Sequence, residues 1–564
     1  MQGKVWPAPK IAMRDGVSPT TAPEPPPPPV YEDIVDGDIR LERNVEVPLG
    51  GGVTMLVDIY RPAGAAGEAK LPVILAWGPY GKHRTSATFR FPNSGIQPGW
   101  TSKHTAFEAP DPGYWCRYGY AVVYADPPGT WYSKGEMHHG GPQETQDCYD
   151  LIEWLGTRRW CNGKVGMSGV SYLACIQWQV APLRPPHLAA INPWEGFSDW
   201  YREFALHGGM RDTAFLPRAS SFLNFSTTRT EDTDTNVRAH PIYDEYWASK
   251  EMDLSAIEVP AYVVASWSDH GLHTRGTLEG YKQIGSKQKW LQVHGRLKWA
   301  EYYNPDRLVG LRAFFDHFLK GTDDSILDYP KVRFEVREGL HKGAERTEQE
   351  WPLARAELVP LYLDAGAGAL SRAKPAIESA ARYEALADDG QAVFDIRFDT
   401  STELTGHMKL KLWVEAEGAS DMDLFVGIEK LDRSGARVPF AFYALYEHGP
   451  VALGWLRASH RELDEARSTP EQPYHPHTRE DPLPAGEAVP VEIEVWPSST
   501  LFEAGETLRL IVKGRDIYRE RPSPMLPWLL HEDTRSAGTH VLHTGGRYDS
   551  HLLVPFIPAM ETSK

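Results

Sequence analysis

Six short runs in this chain are almost wholly apolar: LPVILAW (71–77), YAVVYAD (120–126), GKVGMSG (163–169), LAAINPW (188–194), AYVVASW (261–267) and KWLQVH (289–294). A strand with one wet face alternates apolar and polar residues. Continuous apolar runs instead suit strands buried on both faces, as in a parallel sheet covered by helices. The covering layer is visible between two of the runs. In ETQDCYDLIEWLGTRR, Cys148, Leu151, Ile152 and Leu155 fall at i, i+3, i+4 and i+7, one apolar stripe of a helix. Such alternation predicts an α/β fold with ligands bound beyond the carboxyl ends of the strands.

At 564 residues the chain is too long for one hydrophobic core. Residues 1–34 end near EPPPPPV, a polyproline run expected to be extended and semi-rigid, a surface tether. RLERNVEVPL and VTMLVDIYRP alternate around Leu49-Gly50-Gly51-Gly52 and predict a hairpin. The α/β domain is placed at 35–194 and 251–328. Residues 195–250, aromatic and mixed in charge, interrupt its rhythm and predict a helical insertion covering the site. Beyond that, KVRFEVRE, LVPLYLD, MKLKLWVEAE, VEIEVWP and TLRLIVKG alternate with period two, so residues 329–564 are expected to form an antiparallel β-sandwich.

The net charge of −17 argues against a nucleic-acid partner, which needs a basic surface. MQGKVWPAPKIAMRDG lacks the apolar run of a signal peptide, and no stretch of about 18 apolar residues occurs, so no membrane span is expected. Cys116, Cys148, Cys161 and Cys175 show no CxxC pair and are expected as buried reduced thiols, which favours a cytoplasmic address. No HExxH spacing appears, and no metal or other cofactor is expected.

The sharpest chemical signal is Gly169-Val170-Ser171-Tyr172, between a buried run and the helical LACIQWQVA. A nucleophilic serine on a tight strand-to-helix turn needs small neighbours, and the backbone N–H after it faces a developing oxyanion. Ala174 stands where a second glycine would serve, and Ser168 precedes the turn. Asp269, directly after AYVVASWS, is the candidate acid; capping the following helix is its structural alternative. His294, ending KWLQVH, is the candidate base, with His273 and His270 as competitors. Tyr80, in Gly78-Pro79-Tyr80-Gly81-Lys82, is the candidate second oxyanion donor. Trp194, Glu195 and Trp267 are candidates for the substrate pocket. Glu195, Asp199 and Glu203 would suit a substrate ammonium, or equally a solvated helix face.

PYGK, WCNGKVGMSGVSYLACIQW, the WSD turn, FFDHFLKG and GGRYDSHLLVP, in that order, resemble the cocaine esterase/X-prolyl dipeptidyl-peptidase (CocE/NonD) group of α/β-hydrolases over residues 35 to 560. The resemblance implies an α/β-hydrolase core, a helical cap and a C-terminal jelly roll. It also implies a triad of Ser171, Asp269 and a histidine, and an oxyanion hole from the Tyr80 hydroxyl and the Tyr172 N–H. Two departures stand out. HGRLKW puts Lys298 where the group's basic histidine is expected, making Lys298 a further candidate base, and the group's D-x-R-G reads Asp126-Pro127-Pro128-Gly129. The expected function is hydrolysis of a small-molecule carboxylic ester or amide through an acyl-enzyme on Ser171. An aminopeptidase or amino-acid ester hydrolase, an acyltransferase and a non-catalytic binding relative are the alternatives. A homo-oligomer is compatible with all of them.

Overall fold

The structure, a computed structural model, describes residues 6–64, 70–84, 94–519 and 529–558. The first five residues of the N-terminal tether therefore lie outside the described residues. The apolar runs form one sheet. Its strands are β1 (Ile39–Pro48), β2 (Thr54–Pro62), β3 (Leu71–Trp77), β4 (Ala121–Asp126), β5 (Cys161–Val170), β6 (Leu188–Trp194), β7 (Ala261–Ser266), β8 (Lys289–His294) and β9 (Val332–Gly339). They lie in the order β1-β2-β4-β3-β5-β6-β7-β8-β9, parallel from β4 onward and antiparallel where β1 and β2 join. Every residue of β3, β4 and β7 is buried, as continuous apolar runs require.

Helix α1 (Pro142–Gly156) lays the stripe Cys148, Leu151, Ile152 and Leu155 on the sheet. Proline near its first turn, where a backbone N–H would be unpartnered anyway, marks its start. Helix α2 (Tyr172–Val180) is buried all round because it lies between the sheet and the chain that follows β6. The four cysteines are buried and free of disulfides.

The segment expected to be a helical insertion is mixed. It holds helices at Phe215–Phe222, Thr233–Ala239 and Glu245–Ala248, a wide helical turn at Trp200–Ala205, and short strands including Arg229–Glu231. Leu206–His207 and Met210–Arg211 pair with each other, whereas Arg229–Glu231 is a strand because the N-terminal tether is not merely draped. Met13–Asp15 pairs antiparallel with Arg229–Glu231, which pairs on its other edge with Glu136–Met137. The C-terminal region is mostly antiparallel, with short parallel pairings of Ala369 with Asp395 and of Arg337 with Thr500. Thr402–Glu417 pairs with Val489–Phe502 on one edge and with Thr539–Thr544 and His551–Phe556 on the other. Leu410, Leu412 and Val414 point inward on alternate residues, which is the period-two pattern of the sequence.

Close approach sets the junction of β5, α2 and the chain after β6. A Cβ at Gly196 would lie 2.6 Å from Ala174 Cβ and 3.0 Å from the Cys175 backbone nitrogen. A small residue at 174 and glycine at 196 are thus a matched pair. Gly196→Ala is expected to cost about 1–3 kcal/mol, the usual price of overpacking. Gly64→Ala, with nothing within 4 Å, serves as the near-neutral control. Urea unfolding of the two variants checks this.

Candidate active site

Ser171 sits between β5 and α2 at φ 60°, ψ −120°, a strained conformation for a residue with a side chain. Backbone bonds on either side hold it there. The Val170 N–H donates to Glu108 O (3.0 Å), and the Ser171 N–H is shared between the carbonyls of Trp194 and Glu195 (3.1 Å each). The Ser171 hydroxyl is thereby turned out of the sheet into a cavity of about 360 Å³. Phe107, Phe197, Trp200, Phe215, Trp299 and Tyr443 give the cavity an aromatic lining.

Tyr80 reaches this turn from the loop after β3. Burial holds its hydroxyl well above the usual tyrosine range, while the Ser171 side chain and the Tyr172 backbone N–H nearby pull it the other way. Two buried acids position the pair. Asp126 Oδ1 accepts the Lys82 N–H (2.8 Å) and pins the Tyr80 loop. Glu144 accepts from Trp77 Nε1 (2.9 Å), the Gly140 N–H (2.7 Å) and the Tyr172 hydroxyl (2.8 Å). Burial pushes both carboxyls up to about 7.

The histidine that meets the serine is His273: its Nε2 lies 3.0 Å from Ser171 Oγ. The turn after β7 delivers it to the N-terminal end of α3 (Thr274–Gln283), and its ring stacks on Phe197 with centroids 5.7 Å apart. The Phe197 N–H donates to Nδ1 (3.2 Å), so the neutral ring at rest carries its hydrogen on Nε2, toward Ser171. Burial and then the nearby Lys298 charge depress the His273 pKa well below the usual value.

His294, expected as the base, is not brought to Ser171. Its Nε2 faces Glu195 Oε1 at 3.0 Å, and its Nδ1 accepts the Arg296 N–H at 3.2 Å. Strand β8 ends level with β7, Ser266 pairing with His294, so this ring stays packed at the strand end among buried groups. Asp269 likewise holds no histidine. Its Oδ2 lies 2.6 Å from Lys298 Nζ at the start of α4 (Lys298–Tyr303), with both side chains buried. Burial raises the Asp269 carboxyl to about 6 against the pull of Lys298. For Lys298, burial opposes the charge, but Asp269, Glu195 and Glu108 outweigh it and hold the pKa above its ordinary value. Lys298 is thus an ammonium with no lone pair to offer as a base. His270 is buried elsewhere, its Nδ1 accepting the Leu453 N–H (3.3 Å).

The expected pocket residues are placed differently. Trp194 packs on Tyr302, Trp267 donates to Glu335 O (2.8 Å) against Trp351, and Glu195 faces His294; none lines the cavity. Glu203 is paired with Arg275 (2.6 Å) and Asp199 with Arg202 (2.7 Å). Glu108, Glu144 and the aromatic wall were not legible in the sequence: a single acid, in a loop or in the first turn of a helix, carries no periodic signal, and only burial distinguishes it. Among the described residues no cluster of three or more His, Cys, Asp or Glu side chains is arranged to hold a metal, and no helix is long and apolar enough to cross a membrane.

The family profile of X-Pro dipeptidyl-peptidase (S15 family) matches residues 51–231, and that of the X-Pro dipeptidyl-peptidase C-terminal non-catalytic domain matches residues 325–553. Cocaine esterase of Rhodococcus sp. is 28% identical over 417 residues, 62% of this chain and 68% of that protein. A crystal structure of a CocE/NonD family hydrolase from Staphylococcus aureus superposes with a TM-score of 0.89 at 41% identity, covering 92% of this chain and 94% of that one. An aminopeptidase from a marine-sediment archaeon (Thaumarchaeota) shares the fold at 17% identity, with a TM-score of 0.69 over 94% of this chain and 99% of its own.

The Asp269–Lys298 pair predicts a pH-dependent cost. Because Asp269 titrates near 6 in the folded chain, above its unfolded value, the folded state holds an extra proton between the two values. That contribution to stability is present at low pH and lost as pH rises through the folded pKa. Lys298→Met leaves the carboxylate alone and moves that loss to higher pH. Its destabilisation relative to wild type is expected to be small in acid and to grow to about 3–5 kcal/mol at alkaline pH. Urea unfolding at acid and alkaline pH checks the sign.

Proposed function

We propose a mechanism for this chain, which belongs to the CocE/NonD family of hydrolases and is a serine hydrolase acting on esters or amides: Ser171 is the nucleophile and His273 the group that exchanges its proton. The single observation carrying the assignment of the base is the 3.0 Å contact between His273 Nε2 and Ser171 Oγ on a strained strand-to-helix turn. The strand order supports an α/β-hydrolase core, with 195–250 as a mixed rather than helical cap and the C-terminal antiparallel region as a jelly roll.

For attack, Nε2 must present a lone pair, so the ring must carry its hydrogen on Nδ1 and give up the 3.2 Å contact with the Phe197 N–H. Substrate pressing on Phe197, which lines the cavity and stacks on the imidazole, is the event suited to that shift. Oγ then bonds to the acyl carbon as its proton passes to Nε2. The Tyr80 hydroxyl and the Tyr172 N–H stabilise the oxyanion, each donor worth about 3 kcal/mol. The imidazolium protonates the leaving alkoxide, and water repeats the sequence to release the acid. Asp269, engaged by Lys298, gives this imidazolium no direct carboxylate partner.

Ester substrates without a free amine fit best. Glu195, Asp199 and Glu203 are each taken up by a protein cation, and a buried ammonium, Lys298, already lines the cavity. A substrate ammonium would therefore be desolvated beside like charge.

Labelling by a fluorophosphonate and turnover of p-nitrophenyl acetate test this reading. Ser171→Ala is expected to abolish both, and His273→Ala to lower kcat/KM by about 10²–10⁴-fold. Tyr80→Phe should lower kcat by about 10²–10³-fold. Retained turnover in His273→Ala would overturn the base. Faster cleavage of an aminoacyl p-nitroanilide than of the neutral ester would overturn the substrate preference.

A further inference from the structure

The turn that follows β7 and carries His273 is bonded to distant parts of the chain along its length. The Tyr443 N–H donates to Ser268 O (2.6 Å) and the Leu453 N–H to His270 Nδ1 (3.3 Å), both from the C-terminal region. Gly271, two residues before His273, stands at φ 89°, and a Cβ there would lie 2.2 Å from Leu529 Cδ2. A left-handed backbone and so close a neighbour require glycine, which leaves its carbonyl as the group this position presents. That carbonyl takes a side chain. His207, from the segment 195–250, directs its Nε2 at Gly271 O across 2.7 Å.

The hydrogens behind this contact can be assigned one by one. His207 Nε2 has a second carbonyl, Glu203 O, at 3.2 Å, and carbonyls only accept, so this nitrogen carries a hydrogen. Burial, and then the nearby His531, push the His207 pKa down to about 3, so the ring is neutral and its Nδ1 holds a lone pair. The lone pair faces His531 Nε2 at 3.0 Å, which must therefore donate. His531 Nδ1 in turn lies 2.9 Å from Asp516 Oδ1, and Asp516 Oδ2 accepts the His531 N–H (2.7 Å). A further proton is thus held between this imidazole and this carboxyl. Asp516 is 6% exposed and both histidines 1%, so water does not compete for these bonds, and one donor direction runs from Asp516 to Gly271 O.

We propose that Asp516, His531 and His207 are positioning residues for the catalytic base, a buried anchor that holds the Gly271 carbonyl and through it the His273 imidazole against Ser171. The inference rests on the assignment of His273 as the base. With Asp269 engaged by Lys298, the His273 Nδ1 meets a backbone N–H and no carboxylate, so the aim of the ring depends on the turn that bears it. The anchor fixes that turn from outside, ending in a charge-assisted pair. Asp516 and His531 lie within residues 325–553, the part matched by the profile of the C-terminal non-catalytic domain. That part of the chain thereby takes part in the reaction, placing the base without touching substrate. A misplacement of about 1 Å at a reacting group costs about 10²-fold in rate, which is the loss such an anchor prevents.

The test compares kcat and KM for p-nitrophenyl acetate, and the rate of fluorophosphonate labelling, in variants of the full chain. His207→Phe keeps a ring in place but removes both nitrogens. Its kcat and labelling rate are expected to fall by about 10–10²-fold with KM unchanged. His531→Phe, which breaks the anchor one link further out, should lower kcat in the same way and by less. His207→Gln offers an N–H to Gly271 O and an oxygen to His531, and should recover most of the loss. Leu412→Ala, which opens a cavity in the buried core of the C-terminal region, is the structural control: its urea midpoint should fall while kcat stays at the wild-type value. Wild-type kcat in a folded His207→Phe would overturn the anchor alone, as would a kcat that merely follows the urea midpoint across the four variants. Should His207→Phe fail to fold, a wild-type kcat in His531→Phe, or a kcat for His207→Gln no higher than that of His531→Phe, would overturn it equally. Turnover retained in His273→Ala would overturn the base and the anchor together.

Discussion

The backbone at Ser171 is held at φ 60° by hydrogen bonds from strands and loops that are distant in sequence, and the rest of the site inherits its geometry from that turn. A strained residue of this kind costs about 1–3 kcal/mol and persists only where its surroundings over-determine it. Here Glu108 O holds the residue before the serine, and the carbonyls of Trp194 and Glu195 hold the serine itself. The close contact between Gly196 and Ala174 brings the chain after β6 against α2, leaving the hydroxyl only the cavity to face. Glu144 and Asp126 extend the same constraint outward by locking Tyr172 and the Tyr80 loop. Ser171, the Tyr80 loop and Tyr172, the proposed nucleophile and oxyanion donors, are thus parts of one rigid junction between strand ends, as preorganised stabilisation requires.

The electrostatics around this junction follow from the cost of burying charge. Lys298, Asp269, His294 and Glu195 are all at most about a twentieth exposed, and charges so buried persist only when paired. The two pairs, Asp269 with Lys298 and Glu195 with His294, use up the groups that a serine triad would otherwise draw on. His273 remains, held by a backbone N–H rather than a carboxylate and kept neutral by burial and the adjacent ammonium. A base so arranged accepts a proton less readily than one backed by a carboxylate. In exchange the cavity keeps a cation among aromatic walls, an environment for neutral acyl groups.

Several features could be read before any coordinates. The continuous apolar runs became the parallel strands, the i, i+3, i+4, i+7 stripe became α1, and the period-two text became antiparallel strands. These survive because hydrophobic periodicity is local and each element carries its own signal. The mixed structure of 195–250 was not readable, since its strand Arg229–Glu231 depends on pairing with the N-terminal segment some two hundred residues away and with Glu136–Met137. The same limit applies to Trp194 and Trp267. Their place at strand ends was correct, but whether a ring turns toward the cavity or the core depends on what packs behind it.

What the sequence alone determined was the α/β core, the β-rich region that follows it, and a serine at a strand-to-helix turn with a tyrosine loop and an acid at neighbouring strand ends. Each of these depends on residues close together in the chain. Only the tertiary structure decided which histidine faces Ser171 and what Asp269 is paired with. The sequence favoured His294, at the end of a strand, over His273. The choice between them came from Glu195 and Lys298, whose buried charges demanded partners and took His294 and Asp269. Such pairing is a balance of desolvation against attraction among groups brought together only by folding, and no local pattern records it.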